Sequence, residues 1–258
     1  MRIADCTAGS YLECVMQTEA HGLCLAAEHA LEVIVNEQPV MRLVCTPSGL
    51  DELVIGRLLT EGLIGSAEDI RELYICPEGH TCRVWLREGL KLEPSAERAA
   101  EIGTCCTDNR TLALRRAEEL KRVEPLRWDA EWLKQLAARL GEGEALYRQT
   151  HAVHACYLGR EGELLCVRED IGRHNALDKA VGYAALHGVR TESCYLFTTG
   201  RMPADMVVKA VRAGIPLLAS KTYPTDQGLT IARRAGLTLA TVERSGRVTV
   251  WTDGEGEK

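Results

Sequence analysis

The chain has 258 residues, of which 46% are hydrophobic, and its formal net charge is -6 at neutral pH. This length fits one large domain or two modest ones. The acidic balance excludes a general attraction to nucleic acid or anionic lipid, so any anion-binding site must be local. Since no apolar run has the length of a membrane span and no basic-then-apolar signal pattern is visible, the cytoplasm is the expected location.

The first half of the chain predicts a mixture of strands and helices. Residues 31–46 predict two strands around an Asn-Glu turn. Ser48 is predicted to cap a helix that ends at Gly62. Further strands are predicted at 72–76, 82–87 and 90–94. Two charged helical stretches are predicted at about 95–122, interrupted by the loop with Cys105 and Cys106, and at about 129–140.

After about residue 148 strands alternate with helices. This alternation predicts a layered α/β domain with a largely parallel centre. The division predicted is therefore a domain over residues 1–125 and a second over 126–258. The predicted elements are a hairpin at 151–158 and 163–169, helices at 175–187, 203–214 and 226–236, and strands at 193–198, 216–220, 237–243 and 247–252.

The 11 cysteines are odd in number and spread through the chain, unlike a disulfide scaffold. Most of them are expected to be small buried residues in a reducing compartment. Cys105 and Cys106 differ, because they lie side by side in the polar stretch "EIGTCCTDN", whose residues favour a loop. An exposed thiol is open to oxidation, so this pair is a candidate for sulfur chemistry, with incidental exposure as the alternative.

Four loops that follow predicted strands carry positive charge in this acidic protein. Ligands of open α/β sheets bind beyond the carboxyl ends of the strands, and helix N-termini there attract anions. The four loops predict a site for a phosphate-bearing small molecule or cofactor; solvated loops or structural salt bridges are the alternative. The residues concerned are the cations Arg173, Arg201, Lys221, Arg244 and Arg247 and the glycines Gly172, Gly200 and Gly246.

The segments "VREDIGRHNALDKAVG", "TTGRMPADMVVKAVRAGIPLLASKTYPT" and "LTLATVERSGR" together resemble the FdhD family, the formate dehydrogenase accessory sulfurtransferases. "VNEQPVMRLVCTP" and "LLTEGLI" in the first half are also similar to that family. The resemblance extends from about residue 30 to residue 252.

The resemblance implies a cytidine-deaminase-like layered α/β C-terminal domain and a smaller N-terminal α+β domain. It implies a homodimer that binds the bis-molybdopterin guanine dinucleotide cofactor of molybdenum or tungsten. Such proteins take sulfur from a cysteine desulfurase as a persulfide and pass it to this metal centre, which activates formate dehydrogenase. The cofactor-binding segment of the family matches Val242, Glu243, Arg244, Ser245, Gly246 and Arg247.

The chain departs from the family pattern at two places. The family loop carries two cysteines separated by two residues; here Cys106 or Cys105 matches the first, and Asn109 falls on the second without gaps. The persulfide carrier is therefore Cys106 or Cys105. In the segment "THAVH", His154 matches a family histidine and His151 replaces a glycine.

For the cofactor that the resemblance implies, the cationic loops are predicted to form one pocket for its guanine nucleotide ends. It is lined by Arg173 and His174 with Arg201, Lys221 and the 242–247 turn. Asp178 is the candidate to orient Arg173 or His174. Asp170 or Asp178 is the candidate acceptor for guanine or ribose.

Two other functions compete with sulfur transfer. A zinc nucleoside deaminase would share the fold, but neither H-x-E nor P-C-x-x-C occurs in the chain, and no structural metal is predicted. A non-catalytic nucleotide-binding chaperone would use the pocket without the cysteines.

Overall fold

The computed structural model describes residues 1–4, 16–20, 23–90, 92, 101–102, 120–140 and 144–254. In this part of the chain the first half forms a six-stranded sheet in the order β1-β6-β7-β4-β5-β8, beside a separate hairpin of β2 and β3. The strands are β1 (Arg2–Ala4), β2 (Met16–Ala20), β3 (Leu23–Ala26), β4 (His29–Val35), β5 (Gln38–Cys45), β6 (Ile70–Ile75), β7 (Thr81–Leu86) and β8 (Glu101–Ile102).

Helix α1 (Leu50–Thr60) packs on this first sheet. Its apolar residues recur at helical spacing, and Leu53, Val54 and Leu58 are fully buried against the side chains of β4 and β5. The predicted turn between these strands is confirmed, and Asn36 and Glu37 both adopt a positive φ. This conformation matches the twist of a two-residue hairpin.

Three predictions in the first half were wrong in detail. Gly49, with φ of 57°, is the N-cap of α1, and the Ser48 hydroxyl lies 3.5 Å from Lys179 Nζ instead. Leu90 and Leu92, within the strand predicted at 90–94, belong to no strand. Residues 101–102, which begin the stretch predicted as a loop, pair with the edge of β5 as β8, because tertiary pairing overrides the local pattern.

The second half forms another six-stranded sheet in the described residues, in the order β10-β9-β11-β12-β13-β14. Its central strands β11, β12 and β13 are parallel, as predicted, while β10 and β14 close the sheet as antiparallel edges. The strands are β9 (His154–Arg160), β10 (Glu163–Asp170), β11 (Tyr195–Thr198), β12 (Leu217–Ser220), β13 (Thr238–Val242) and β14 (Val248–Asp253).

Helices cover both faces of the second sheet. On one face, Leu158, Leu196 and Leu218 pack with α4, α5 and α6. On the other face, α2 packs against aromatic side chains of β9 and β11. The helices are α2 (Ala130–Ala138), α3 (Ala145–Thr150), α4 (Arg173–Leu186), α5 (Ala204–Arg212) and α6 (Asp226–Ala235).

Helices α1 and α4 join the two halves at very short range. A Cβ atom added at Gly56 would lie 1.8 Å from the carbonyl oxygen of Asp178, and one at Gly182 would lie 1.9 Å from that of Glu52. Only glycine lets the two backbones approach this closely. The domain boundary at 125 and 126 stays a prediction, although each sheet draws its strands from one side of it.

Candidate functional site

The four cationic loops gather at one end of the second sheet. Thr198 at the end of β11 pairs with Ser220 at the end of β12, and Ser220 pairs with Thr241 near the end of β13. Asp170 at the end of β10 pairs with His154 at the start of the antiparallel β9. The loops that follow these strands are therefore neighbours in space, as expected for loops at the carboxyl ends of strands.

Two adjoining cavities lie at this end of the sheet. The first has a volume of about 350 Å³ and is bordered by His151, His154, Thr199 and neighbouring residues of β9 and α3. The second has a volume of about 660 Å³ and is bordered by α2 and by the turn after β13. Both cavities share Glu144, Tyr147 and Lys221, so we call them together the strand-end groove.

The groove brings together several residues that the sequence predicted as a site. His154 and Lys221 line the first cavity. Lys221 also lines the second, with Val242, Glu243, Arg244 and Gly246. Its other cations, Lys134 and Arg148, come from α2 and α3 and were not predicted. The cations that border the groove outnumber the two carboxylates there, those of Glu144 and Glu243. This excess of positive charge suits a phosphorylated ligand.

Positive charge around His154 affects its titration. Burial lowers the pKa of His154, and the nearby charges of Arg173, Lys221 and His174 lower it further. All three of these side chains therefore act electrostatically on His154. A neutral imidazole beside cations offers a hydrogen-bond donor and acceptor without adding charge to the site.

His174 is held by a carboxylate that the sequence analysis missed. Its Nε2 lies 2.9 Å from Oδ2 of Asp205, near the start of α5, and both side chains are buried. Burial opposes ionisation of Asp205, but the hydrogen bond and charge of His174 outweigh it, so the pKa of Asp205 is lowered. The prediction that Asp178 orients Arg173 or His174 was wrong, because the Asp178 carboxylate pairs instead with Arg57 and Lys209.

Asp170 is fully buried and serves as an acceptor inside the protein. Its Oδ2 lies 2.6 Å from Lys179 Nζ and accepts the backbone N–H of Thr46 at 3.0 Å. Its Oδ1 accepts the backbone N–H of Gly172 and the side-chain amide of Asn175, both at 2.9 Å. These contacts fix the turn that begins α4; a ligand contact by Asp170 stays a prediction.

Asp178 is also fully buried, between α4, α1 and α5. Its carboxylate lies 3.2 Å from Arg57 Nε and 3.0 Å from Lys209 Nζ, and it accepts the Thr60 hydroxyl at 2.6 Å. Glu61 completes the group, with Lys209 Nζ at 2.9 Å. We call Arg57, Glu61, Asp178 and Lys209 the helix-junction charges. Asp178 thus has protein partners, and a contact with guanine or ribose stays a prediction.

The turn after β13 is compact and partly open. Gly246 has a φ of 80°, and its N–H donates to the carbonyl of Glu243 at 2.9 Å. A Cβ atom at Gly246 would meet no described atom within 4 Å, so this side of the turn is accessible. Arg244 and Arg247 are both exposed. Of these two, Arg244 borders the second cavity.

The loop after β11 packs against the start of α4. A Cβ atom at Gly200 would lie 2.9 Å from Cβ of Arg173, so glycine leaves room for the arginine side chain. The Gly200 carbonyl accepts the Ser220 hydroxyl at 2.7 Å, which ties two of the loops together. Arg201 is exposed and is not among the residues that border the two cavities.

Cys105 and Cys106 lie outside the described residues, so their assignment stays a prediction. The cysteines that the structure describes are all free thiols. Burial raises the pKa of Cys45, Cys82 and Cys166 to about 12, which makes these thiols poor nucleophiles. Within the described ranges, no group of three or more His, Cys, Asp or Glu side chains is placed to hold a metal ion.

Sequence reasoning missed Glu144 and Tyr147, which border both cavities. They flank the start of α3, and the short polar segment around them resembles an ordinary surface helix. Spacing offered one signal, since Glu144 and Tyr147 are three residues apart and so share a helix face. The described helices include none long and apolar enough to cross a membrane.

The chain is similar to proteins of known family over most of its length. The FdhD/NarQ family model matches residues 26–256. The sulfur carrier protein FdhD of Halalkalibacterium halodurans is 32% identical over 232 residues, which cover 88% of this chain and 86% of the relative. That of Bacillus subtilis is 30% identical over 233 residues, covering 90% and 89%.

A solved structure has the same fold. The crystal structure of a formate dehydrogenase accessory protein from Desulfotalea psychrophila aligns with a TM-score of 0.73 and 30% sequence identity, covering 90% of each chain. Its likeness supports the two-sheet arrangement described above. Together with the family match, these similarities show that the chain belongs to the FdhD/NarQ family.

Proposed function

We propose that this protein is a sulfur carrier for formate dehydrogenase and acts as a sulfurtransferase. The relatives named above are sulfur carrier proteins, and the similar crystal structure is that of a formate dehydrogenase accessory protein. The observation that carries the proposal is the strand-end groove, which suits a phosphorylated ligand. Lys221 borders one of its cavities with His154 and the other with Arg244.

The proposed chemistry is a thiol exchange. The thiolate of Cys106, or of Cys105, attacks the outer sulfur of a persulfide on a cysteine desulfurase. A new S–S bond forms on this chain as the old one breaks, and the desulfurase thiolate leaves. The described thiols at Cys45, Cys82 and Cys166 are poor candidates, because their raised pKa keeps them protonated.

The acceptor in this proposal is the bis-molybdopterin guanine dinucleotide cofactor of molybdenum or tungsten, bound as cargo. Its pyrophosphates would face Lys221 and Arg244, and Gly246 leaves the turn open for close approach. His154 and Thr199 offer neutral polar groups in the adjoining cavity. The donors present therefore fit a ligand with two phosphates and a polar base.

Three further statements belong to the same proposal. The layering of the second sheet is of the cytidine-deaminase type, supported by its parallel centre with helices on both faces. The active form is a homodimer, as the family resemblance implies. The protein works in the cytoplasm, supported by the free thiols at each described cysteine.

Peptide mapping after incubation with a cysteine desulfurase and cysteine tests the sulfur carrier. We expect one added sulfur, removable by dithiothreitol, on the peptide between Gly103 and Arg110. Cys156→Ser is the matched control and keeps the added sulfur, because Cys156 is fully buried. Sulfur found only on another cysteine contradicts the assignment.

The second candidate is a non-catalytic chaperone for the cofactor, which the groove alone would support. Replacing Cys105 and Cys106 together separates the two functions. Sulfur transfer requires that the double variant bind GDP as the wild type does while failing to activate formate dehydrogenase. A chaperone without sulfur chemistry would keep both properties.

A further inference from the structure

His154 is a half-buried histidine that borders the first cavity of the strand-end groove. It begins β9 and shares this cavity with Thr199 and Lys221. Its imidazole forms no hydrogen bond with the residues that the structure describes. A polar group that is partly withdrawn from water costs free energy unless a partner replaces the water. The ring nitrogens of His154 are therefore available to a ligand in the cavity.

The charges that act on His154 come from several elements and are mostly positive. Burial lowers the pKa of His154, and the charges of Arg173, Lys221 and His174 lower it further, whereas Asp170 raises it. Arg173 and His174 begin α4, and Lys221 follows β12. The protein without a ligand therefore keeps this imidazole neutral near neutral pH.

The two nearest carboxylates on β10 and α5 are already engaged by cations of the protein. Asp170 lies 2.6 Å from Lys179 Nζ. Asp205 lies 2.9 Å from His174 Nε2. Neither carboxylate is therefore free to balance a positive charge on His154.

The other titratable groups of the cavity wall come from α3 and the residues that flank it. Glu144 has an exposed fraction of 4% and accepts the hydroxyl of Tyr157. His151 is exposed and contacts the Tyr147 ring edge-on, with 5.3 Å between ring centroids. Lys221 forms no ion pair with a carboxylate that the structure describes, so its charge is available to an anionic ligand.

We propose that the groove takes up a proton together with a phosphorylated ligand, and that His154 binds this proton. The phosphates offset the charges of Lys221 and Arg173, which removes the repulsion that disfavours a protonated imidazole. The protonated ring then donates a charge-assisted hydrogen bond to a phosphate oxygen. This proton coupling rests on the proposed binding of a phosphorylated ligand in the groove.

Such coupling is reciprocal, which fixes the direction of the pH dependence. If the ligand favours protonated His154, protonation of His154 favours the ligand by the same factor. Ligand affinity should therefore rise as pH falls through the pKa of His154 in the complex. The gain ends once the pH is below the lowered pKa of the free protein, because both states are then protonated.

Calorimetric titration of GDP in buffers of different ionisation enthalpy counts the protons that bind with the ligand. We expect the wild type to take up more protons near neutral pH than His154→Gln, whose amide does not titrate. From about pH 7.5 to about pH 6, GDP affinity of the wild type should gain about three- to tenfold on that of the variant. Titration of the GDP phosphates is common to both proteins and cancels in this comparison.

The matched control is His187→Gln. His187 is an exposed histidine that follows α4 and borders neither cavity. This variant should take up as many protons as the wild type.

Nitrogen NMR of the histidine rings reports the same event directly in the wild type. The titration of His154 should move to higher pH when GDP saturates the groove. In the free protein, Lys221→Ala should also move it to higher pH, because one charge that disfavours the protonated ring is gone. Both measurements test the coupling even if His154→Gln does not fold.

The outcomes separate this inference from the function on which it rests. A wild type that does not bind GDP contradicts the proposed groove and the proton coupling together. A wild type that binds GDP while the titration of His154 stays in place contradicts the proton coupling alone. Equal proton uptake by His154→Gln and the wild type also overturns it.

Discussion

At the residue scale, the helix-junction charges are the most consequential buried group. Asp178 is fully buried between two cations, and Arg57 and Lys209 have side-chain exposures of only 2% and 6%. Each cation depends on this carboxylate, because an unpaired charge in the interior is strongly destabilising. The same group holds α4, whose first residues are Arg173 and His174.

Asp178→Ala should therefore lower the free energy of unfolding by about 3–5 kcal/mol, since it leaves two buried cations with Glu61 as their one remaining carboxylate in the group. Chemical denaturation checks this value. The matched control is Glu37→Ala, which breaks the exposed Arg83–Glu37 pair. An exposed pair contributes less than about 1 kcal/mol, so a similar loss in both variants would contradict the role of burial.

Glu61 makes the stability of the protein depend on pH. Burial opposes its ionisation, but Lys209 and Arg57 outweigh this effect and lower the pKa of Glu61 from 4.5 to about 2. The unfolded chain then binds more protons than the folded one between these values, so stability rises with pH. The contribution is fully present above pH 4.5 and is lost as pH falls towards 2.

Glu61→Gln should remove this contribution. The unfolding free energies of variant and wild type should approach each other as pH falls from 4.5 to about 2, and differ most above pH 4.5. Glu68→Gln, at an exposed glutamate, should follow the wild-type profile. Denaturant unfolding at a series of pH values gives the curves; parallel curves for Glu61→Gln and the wild type would refute the assignment.

At the scale of elements, the contact between α1 and α4 decides how the two halves fit. Gly56 and Gly182 let each helix backbone reach the carbonyls of the other. A methyl group at either position would overlap backbone atoms, which cannot move aside as a flexible side chain can. The helices would have to separate along their whole contact.

Gly56→Ala is expected to cost more than about 3 kcal/mol of unfolding free energy, despite the better helix propensity of alanine. Thermal and denaturant unfolding measure the loss. Gly65→Ala is the control, because its Cβ would meet only the Asp69 carboxylate, at 3.5 Å, and it should change stability by less than about 1 kcal/mol. If Gly56→Ala left the free energy of unfolding unchanged, the helices would be able to separate without loss of stability.

At the scale of the whole molecule, the strand-end groove draws on parts of the chain that are distant in sequence. Lys221 is the cation shared by both cavities, and it lies close enough to His154 to lower the pKa of that imidazole. The lysine follows β12, at the centre of the parallel strands. It is therefore placed to contact a ligand that spans the groove.

Lys221→Ala should weaken GDP binding by about 10- to 100-fold, the loss expected for one charge-assisted contact. Isothermal titration calorimetry gives the affinity. The control is Lys121→Ala, an exposed lysine that does not border either cavity. Equal GDP affinity of Lys221→Ala and the wild type would place the nucleotide elsewhere.

Local pattern in the sequence determined the order of elements and the gathering of the cationic loops. The spacing of apolar residues and the glycines at the ends of elements are local features of the sequence. The strands and helices of the second half could therefore be predicted within a few residues. The boundaries of each strand then show which loop follows its carboxyl end. This is why Lys221 and the 242–247 turn were predicted to share one site before any contact was known, whereas His154 was added by the family resemblance.

Only the tertiary structure decided what each charged residue contacts. Asp170 meets Thr46 across 124 positions of sequence, and Asp178 meets Arg57 in the first half of the chain. Burial and pairing of a carboxylate depend on such distant partners, which no local pattern contains. For the same reason the partner of His174 and the buried position of Glu144 emerged only when both sheets and their helices were packed together.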